Sequence, residues 1–197
     1  MQLNKFVCTK CKKQNNINSN FCSYCGEKII SIEEWADSLS VELIKIMNDT
    51  NDIEKMLNSL GYKGKMSEKM KYEELILRLF AVNLVSQEND QDNPEELNNL
   101  IYHAIAKRLC KTEEEKICLF EKIKQRYIGY LPIINSEDNQ RFVDLGVIYL
   151  KNLLSDEDDL KNKVDPVKEL NVSMLFALDF ANFLNYLRNG WFGGDLH

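Results

Sequence analysis

With 197 residues, 28 % of them charged, and a net charge of −6, the chain has room for one small module and one domain of ordinary size. No apolar run approaches the eighteen residues that a membrane-spanning helix requires. The charge is uneven: five lysines against Glu27 give residues 1–28 a formal +4, so the rest of the chain carries −10. That balance argues against non-specific nucleic-acid binding by the acidic body and leaves only a basic N-terminal knob able to touch phosphate.

The chain opens on its one specific chemical signature. Cys8-Thr9-Lys10-Cys11 is followed after ten residues by Cys22-Ser23-Tyr24-Cys25-Gly26. Two Cys-x-x-Cys pairs supply four thiolates, a complete tetrahedral shell for Zn²⁺ with no position left for water, so the site predicted at Cys8, Cys11, Cys22 and Cys25 is structural. Four thiolates around Zn²⁺ contribute −2 and bring the basic knob down to about +2. Fewer than thirty residues, with Phe6, Ile17, Phe21 and Ile29 as the sizeable apolar anchors, cannot fold by burial alone. The metal must supply the fold, at on the order of 10–16 kcal/mol for small zinc peptides. Gly26 suits a turn that needs positive φ. The same ligands would serve a rubredoxin-like iron site. A pair of disulfides needs an oxidising compartment, and the polar opening Met1–Lys5 does not read as a secretory signal, so a reducing cytosol is the expected home.

Phe21-Cys22-Ser23-Tyr24-Cys25-Gly26 resembles the second half of the short N-terminal zinc-ribbon family, which reads Phe-Cys-x-x-Cys-Gly twice. The first half departs from it, with Val7 before Cys8 and Lys12 in place of glycine. The resemblance covers residues 6–30. It implies a zinc-bound β-hairpin ribbon, and members of the family mostly serve as interaction or nucleic-acid-contacting modules.

Beyond the ribbon the pattern is helical throughout. Ser31-Ile32-Glu33-Glu34 is a capping box. Ile32, Trp35, Ala36, Leu39, Leu43, Ile46 and Met47 then recur at helical spacing to about Asn48. A shorter helix from Asn51 or Asp52 to Leu60 stops at Gly61. Gly61–Ser67 contains glycines and a lysine but lacks the spacing, and the preceding strand, of a phosphate-binding loop. Ser67 caps a third helix to about Gln87, apolar nearly all round at Leu75–Val85 and so central. Arg78 interrupts it. A pair with Glu74 one turn away is the simpler expectation; a buried arginine reaching Asp144 or Asp179 is the sharper one.

Ser86–Asn93 reads as a solvated loop, Asp90-Gln91-Asp92 lacking the following ligands of a calcium loop. Pro94 opens the next helix, striped by Leu97, Leu100, Ile101, Ala104, Ile105 and Leu109. Thr112-Glu113-Glu114-Glu115 is a second capping box, followed by Ile117, Phe120, Ile123, Tyr127 and Tyr130 facing inward, with Pro132 as the expected end. A helix beginning at Ser136–Asn139 carries Phe142, Leu145, Gly146, Tyr149 and Leu153; close approach of a neighbour would explain Gly146, which costs about 1 kcal/mol against alanine in a helix. Ser155–Asp159 reads as an acidic loop. The last helix should run from about Pro166 to Asn189, stopped by Gly190. Leu170, Met174, Phe176, Leu178, Phe180, Phe183, Leu184 and Leu187 cover most of its circumference and leave a narrow polar strip of Asn171, Asp179, Asn182, Tyr186 and Asn189. This reads as a core helix with one wet edge, ahead of a ligand-lining seam.

In the glycine-rich tail Gly190–His197, Trp191 and Phe192 either fold back on the domain or anchor a partner. No catalytic constellation is visible: His103 and His197 are the only histidines, and Cys110 and Cys118 have no histidine beside them. An enzyme built on an Arg78/Asp179 interior ranks behind two other readings. The sequence predicts a mainly α protein, a four-cysteine zinc ribbon over 1–30 followed by an irregular all-α helical bundle over 31–197, with one structural Zn²⁺. The leading expectation is a cytoplasmic interaction or adaptor protein whose ribbon and body form a docking surface. The other is nucleic-acid association through Lys5, Lys10, Lys12 and Lys13.

Overall fold

The computed structural model describes residues 5–8, 10–11, 13–16, 19, 21–29, 31–88, 94–138, 140–155 and 165–192. The protein is mainly helical: α1 (Ile32–Asn48), α2 (Asn51–Ser59), α3 (Glu68–Glu88), α4 (Pro94–Leu109), α5 (Glu113–Ile134), α6 (Arg141–Leu153) and α7 (Pro166–Tyr186), the last continuing as a π-helical turn over Leu187–Trp191. Two three-residue strands precede them, β1 (Lys5–Val7) and β2 (Gln14–Asn16), antiparallel with Phe6 opposite Asn15. Among the described residues no helix is long and apolar enough to cross a membrane.

The helix starts follow the local chemistry of the sequence. Ser31 N–H donates to Glu34 Oε2 (3.0 Å) while Glu34 N–H donates to Ser31 Oγ (3.1 Å), a complete capping box. Thr112 and Glu115 repeat the exchange at α5 (3.3 and 3.2 Å), and Met70 N–H donates to Ser67 Oγ at α3. The stop after α2 is a Schellman motif: Gly61 takes φ +97°, its N–H donates to Asn58 O, and Tyr62 N–H donates to Leu57 O. Glu54 Oε1 accepts Met66 N–H at 2.9 Å and so fastens the segment after Gly61 to α2.

The chain falls into two compact units. One comprises Met1–Glu42, Ala81–Lys116 and Phe183–His197; the other comprises Leu43–Phe80 and Ile117–Asn182. In the first, Trp35 meets Trp191 and Phe192 edge-on, with ring centroids 5.7 and 5.3 Å apart. Phe192 is buried, so of the two expectations for these aromatics the folded-back one holds, and residues 193–197 of the tail lie outside the described residues. Arg188 clasps Glu88 with two bonds of 2.8 Å, and Arg108 reaches Asp37.

The second unit is built on α3, α5, α6 and α7. Phe80 lies against Tyr127, Tyr130 and Phe180, and Tyr149 against Phe176. Gly146 has the expected reason: a Cβ there would lie 2.2 Å from Ser173 O, so α6 and α7 touch backbone to backbone.

Several elements depart from the sequence expectation. Helix α5 passes through Pro132 and ends at Ile134. The missing proline N–H would have served the Ile128 carbonyl, whose residue is exposed to water, and a proline in the final turn leaves most of the bonding intact. Helix α6 starts at Arg141 instead of 136–139, because Asp138 accepts Gln140 N–H on its side chain and Arg141 N–H on its carbonyl, holding a turn ahead of the helix; Asn139 itself lies outside the described residues. Gly190 does not stop the last helix. It lies inside the π turn, where Phe192 N–H donates to Leu187 O. Ile117 is exposed and Leu119 takes the inward position. On α7, Val172, Phe176, Phe180, Phe183, Leu184 and Leu187 are buried, whereas Leu170, Met174 and Leu178 are exposed; a helix apolar around most of its circumference has more such surface than its own unit covers. The acidic stretches at 89–93 and 156–159 lie outside the described residues.

Candidate metal centre

The first Cys-x-x-Cys turn connects β1 to β2, and the second is closed by an antiparallel bridge between Phe21 and Lys28. The two turns share one hydrogen-bond pattern. Cys8 N–H donates to Lys13 O at 2.9 Å and Cys22 N–H donates to Glu27 O at 2.7 Å, each to the residue five positions on. Two positions on, Lys10 N–H points at Cys8 Sγ and Tyr24 N–H at Cys22 Sγ, both at 3.4 Å. Backbone dipoles therefore converge on the sulfurs, a setting that favours thiolate. Gly26 closes the second turn with φ +72° and an N–H bond to Cys22 O. The matching position of the first turn, Lys12, lies outside the described residues, as does Ile17.

All four sulfurs of Cys8, Cys11, Cys22 and Cys25 lie within 4.8 Å of one another. Cys8 and Cys25 are 3.6 Å apart and Cys11 and Cys22 3.4 Å apart. A tetrahedron with metal–sulfur bonds of ~2.3 Å has edges of about 3.8 Å, so the spacing fits a four-thiolate shell. A disulfide at ~2.05 Å does not fit, and the described cysteines are free thiols.

Burial pushes the Cys22 thiol up, but the N–H groups of Tyr24 and Cys25, the Asn15 amide and the Cys11 thiol outweigh it and bring it down to about 6. At Cys25 the Glu27 N–H pulls down; burial and the three neighbouring sulfurs prevail and push it up to about 12. Four sulfurs this close cannot all carry charge unaided, and a cation among them relieves the repulsion.

Asn15 is a residue the sequence reading missed. Its amide donates to Lys13 O (2.8 Å) and to Cys22 Sγ (3.3 Å), and its Oδ1 accepts from Ser23 N–H (2.9 Å) and Ser23 Oγ (3.2 Å). It is buried and ties the two turns together beside the Cys22 sulfur. Only its place seven residues before Cys22 marks it in the sequence, and asparagine in a Gln-Asn-Asn run carries no signal of its own.

Of the expected anchors, Ile29 is buried against Cys8 and Cys22, whereas Phe21 is 62 % exposed, as is Tyr24 at 61 %. Lys13 Nζ stands over the Tyr24 ring at 4.7 Å, and Lys10 pairs with Glu27 at 3.0 Å. Of the basic face expected from Lys5, Lys10, Lys12 and Lys13, Glu27 thus neutralises Lys10, while Lys13 keeps its charge over the ring. Lys12 lies outside the described residues.

No family model, curated protein or solved structure matches the chain.

The second place where ionisable groups converge is the interior of the second unit. Arg78 is buried, donates to Glu74 Oε1 at 2.5 Å and reaches Asp179 as well, so the two expectations for it hold together, with Asp179 and not the exposed Asp144 as the distant partner. Tyr149 donates to the other oxygen of Glu74 at 2.5 Å. Burial lowers Arg78, but Glu74 and Asp179 outweigh it and hold the guanidinium charged; burial and the Glu74 charge push Tyr149 well up. The adjacent Glu73 takes two bonds of 2.8 Å from Arg126 and one contact from Lys122 at 3.1 Å. These charges satisfy one another, which is the arrangement of a structural network.

Proposed function

We propose that the chain is a zinc-stapled interaction protein of the cytosol. Residues 1–30 form the ribbon, residues 31–197 the helical body, and each presents surface to another protein. The observation that carries the reading is the pairing of a closed four-sulfur site with two aromatic side chains, Phe21 and Tyr24, turned outward from it. A shell filled by four thiolates has no coordination position for a substrate, so the metal's contribution is shape. Exposed aromatics on a rigid support are a common form of protein-binding hot spot. Zinc suits the donor set and the sulfur spacing, and free thiols suit a reducing compartment.

Affinity capture with the full chain, compared with Cys22→Ser/Cys25→Ser, tests the reading. Loss of the partner with the metal supports it; unchanged capture removes the ribbon from the interaction. One observation favours a second reading: Lys13 stands over the exposed ring of Tyr24, a cation and a stacking surface of the kind that holds a base beside its phosphate. A salt-dependent mobility shift of labelled single-stranded DNA or RNA would support that reading, and absence of a shift at low salt would remove it.

A further inference from the structure

Val167, Leu170, Met174, Leu175 and Leu178 are between 48 % and 66 % exposed on α7. At about 100° per residue they occupy an arc of roughly 140°, and at 1.5 Å per residue they extend about 16 Å along the helix. The helix buries its opposite face through Val172, Phe176 and Phe180, so this is a second apolar face on one helix. Side chains of this size at half exposure present on the order of 100 Å² each, a patch of about 500 Å². That exceeds half of the ~800 Å² each partner contributes to a standard interface.

We infer that this face pairs with the same face of a second copy of the chain, the two α7 helices lying antiparallel about a twofold axis near residues 172–173. The strip is complementary to itself under that operation, which an isologous dimer requires. Val167 meets the copy's Leu178, Leu170 meets its Leu175, and Met174 lies beside its Asn171.

The charges select the same arrangement. Lys168 and Asp179 lie along one edge of the strip, eleven residues apart. A twofold axis perpendicular to the helices keeps that edge on the same side and reverses its direction. Each Lys168 therefore comes within about 3 Å, measured along the axis, of the copy's Asp179. Asp179 retains 41 % side-chain exposure while bonded to Arg78, so it can accept the second cation. A parallel pair, related by a twofold along the helices, would carry the two charged edges to opposite sides of the seam, so neither Lys168 would meet an Asp179. With a chain charge of −6 opposing association, burial of the apolar strip supplies the attraction and the two Lys168–Asp179 contacts fix the direction.

Light scattering of the full chain, from micromolar to near-millimolar concentration, should give a mass rising from 23.0 kDa towards twice that value. Leu178→Glu places an unpaired charge inside the interface and should weaken association about a hundredfold or more, with unchanged helical circular dichroism because the side chain is exposed in the single chain. A carbodiimide cross-link between Lys168 and Asp179 in an equal mixture of ¹⁴N and ¹⁵N protein should appear as a mixed-isotope peptide. Three results would each overturn the inference. The protein could remain at 23.0 kDa throughout, or Leu178→Glu could dimerise like the wild type. Leu178→Glu could also unfold a single chain, showing that the strip is covered from within. Since capture of another protein by the ribbon is tested separately, either reading can fail without the other.

Discussion

Gly146 and Gly129 both lie inside α-helices, and replacing each by alanine should move stability in opposite directions. Alanine improves helix propensity by up to about 1 kcal/mol at either position. At Gly129 a Cβ meets nothing within 4 Å, so Gly129→Ala should gain most of that amount. At Gly146 the Cβ would lie 2.2 Å from Ser173 O and 3.0 Å from its carbonyl carbon, both backbone atoms. Relief requires α6 and α7 to separate by roughly 1 Å at their contact, at an overpacking cost near the upper end of ~1–3 kcal/mol. After the propensity gain, Gly146→Ala should lose about 2 kcal/mol. At ~2–4 °C per kcal/mol for a chain of this size, thermal unfolding followed by circular dichroism should show Gly129→Ala melting about 2–4 °C higher and Gly146→Ala about 4–8 °C lower. Equal shifts, or a Gly146→Ala protein as stable as the wild type, would refute the backbone contact between the helices.

Asn15→Ala should weaken zinc affinity about 10–100-fold in competition with a chromophoric chelator while leaving one ion per chain, because the amide supports a ligand without being one. Arg78→Met should destabilise by about 3–5 kcal/mol in urea unfolding, since it leaves Glu74 a buried carboxylate with Tyr149 as its remaining partner among those described. Burial raises the Glu73 carboxyl, but Arg126 and Lys122 outweigh it and hold it below its ordinary value of 4.5. A depressed folded pKa gives stability that is complete above the unfolded value and disappears as pH falls through the folded one. Unfolding free energy should therefore fall below about pH 4.5, and Glu73→Gln should be less stable at pH 7 with a shallower acid decline.

Local rules made much of this chain legible. Ser31 and Thr112 announced their helices through side-chain groups three residues apart, and Gly61 its stop through the backbone conformation only glycine adopts cheaply. The cluster of Cys8, Cys11, Cys22 and Cys25 was legible because two Cys-x-x-Cys pairs bring four sulfurs together at fixed spacing. Tertiary contacts were not legible in the same way. Asn15 matters through groups brought near it by folding. Phe21 and Leu178 are as apolar as their buried neighbours, and no local pattern says that the core is full before it reaches them. Arg78 was visible as an anomaly in an apolar helix, but its reach to Asp179 spans 101 positions, a distance over which sequence pattern carries no information.

The widened turn at Leu187–Trp191 makes the position of the last aromatics a matter of counting. Phe192 is bonded five residues back, where an α-helix would bond four, so one extra residue is threaded into the final coil before the chain reaches Trp35. Deleting Gly190 would restore ordinary helical phase and rotate everything beyond it by about a quarter-turn. The grip on Trp35 would then be lost although every aromatic ring was retained.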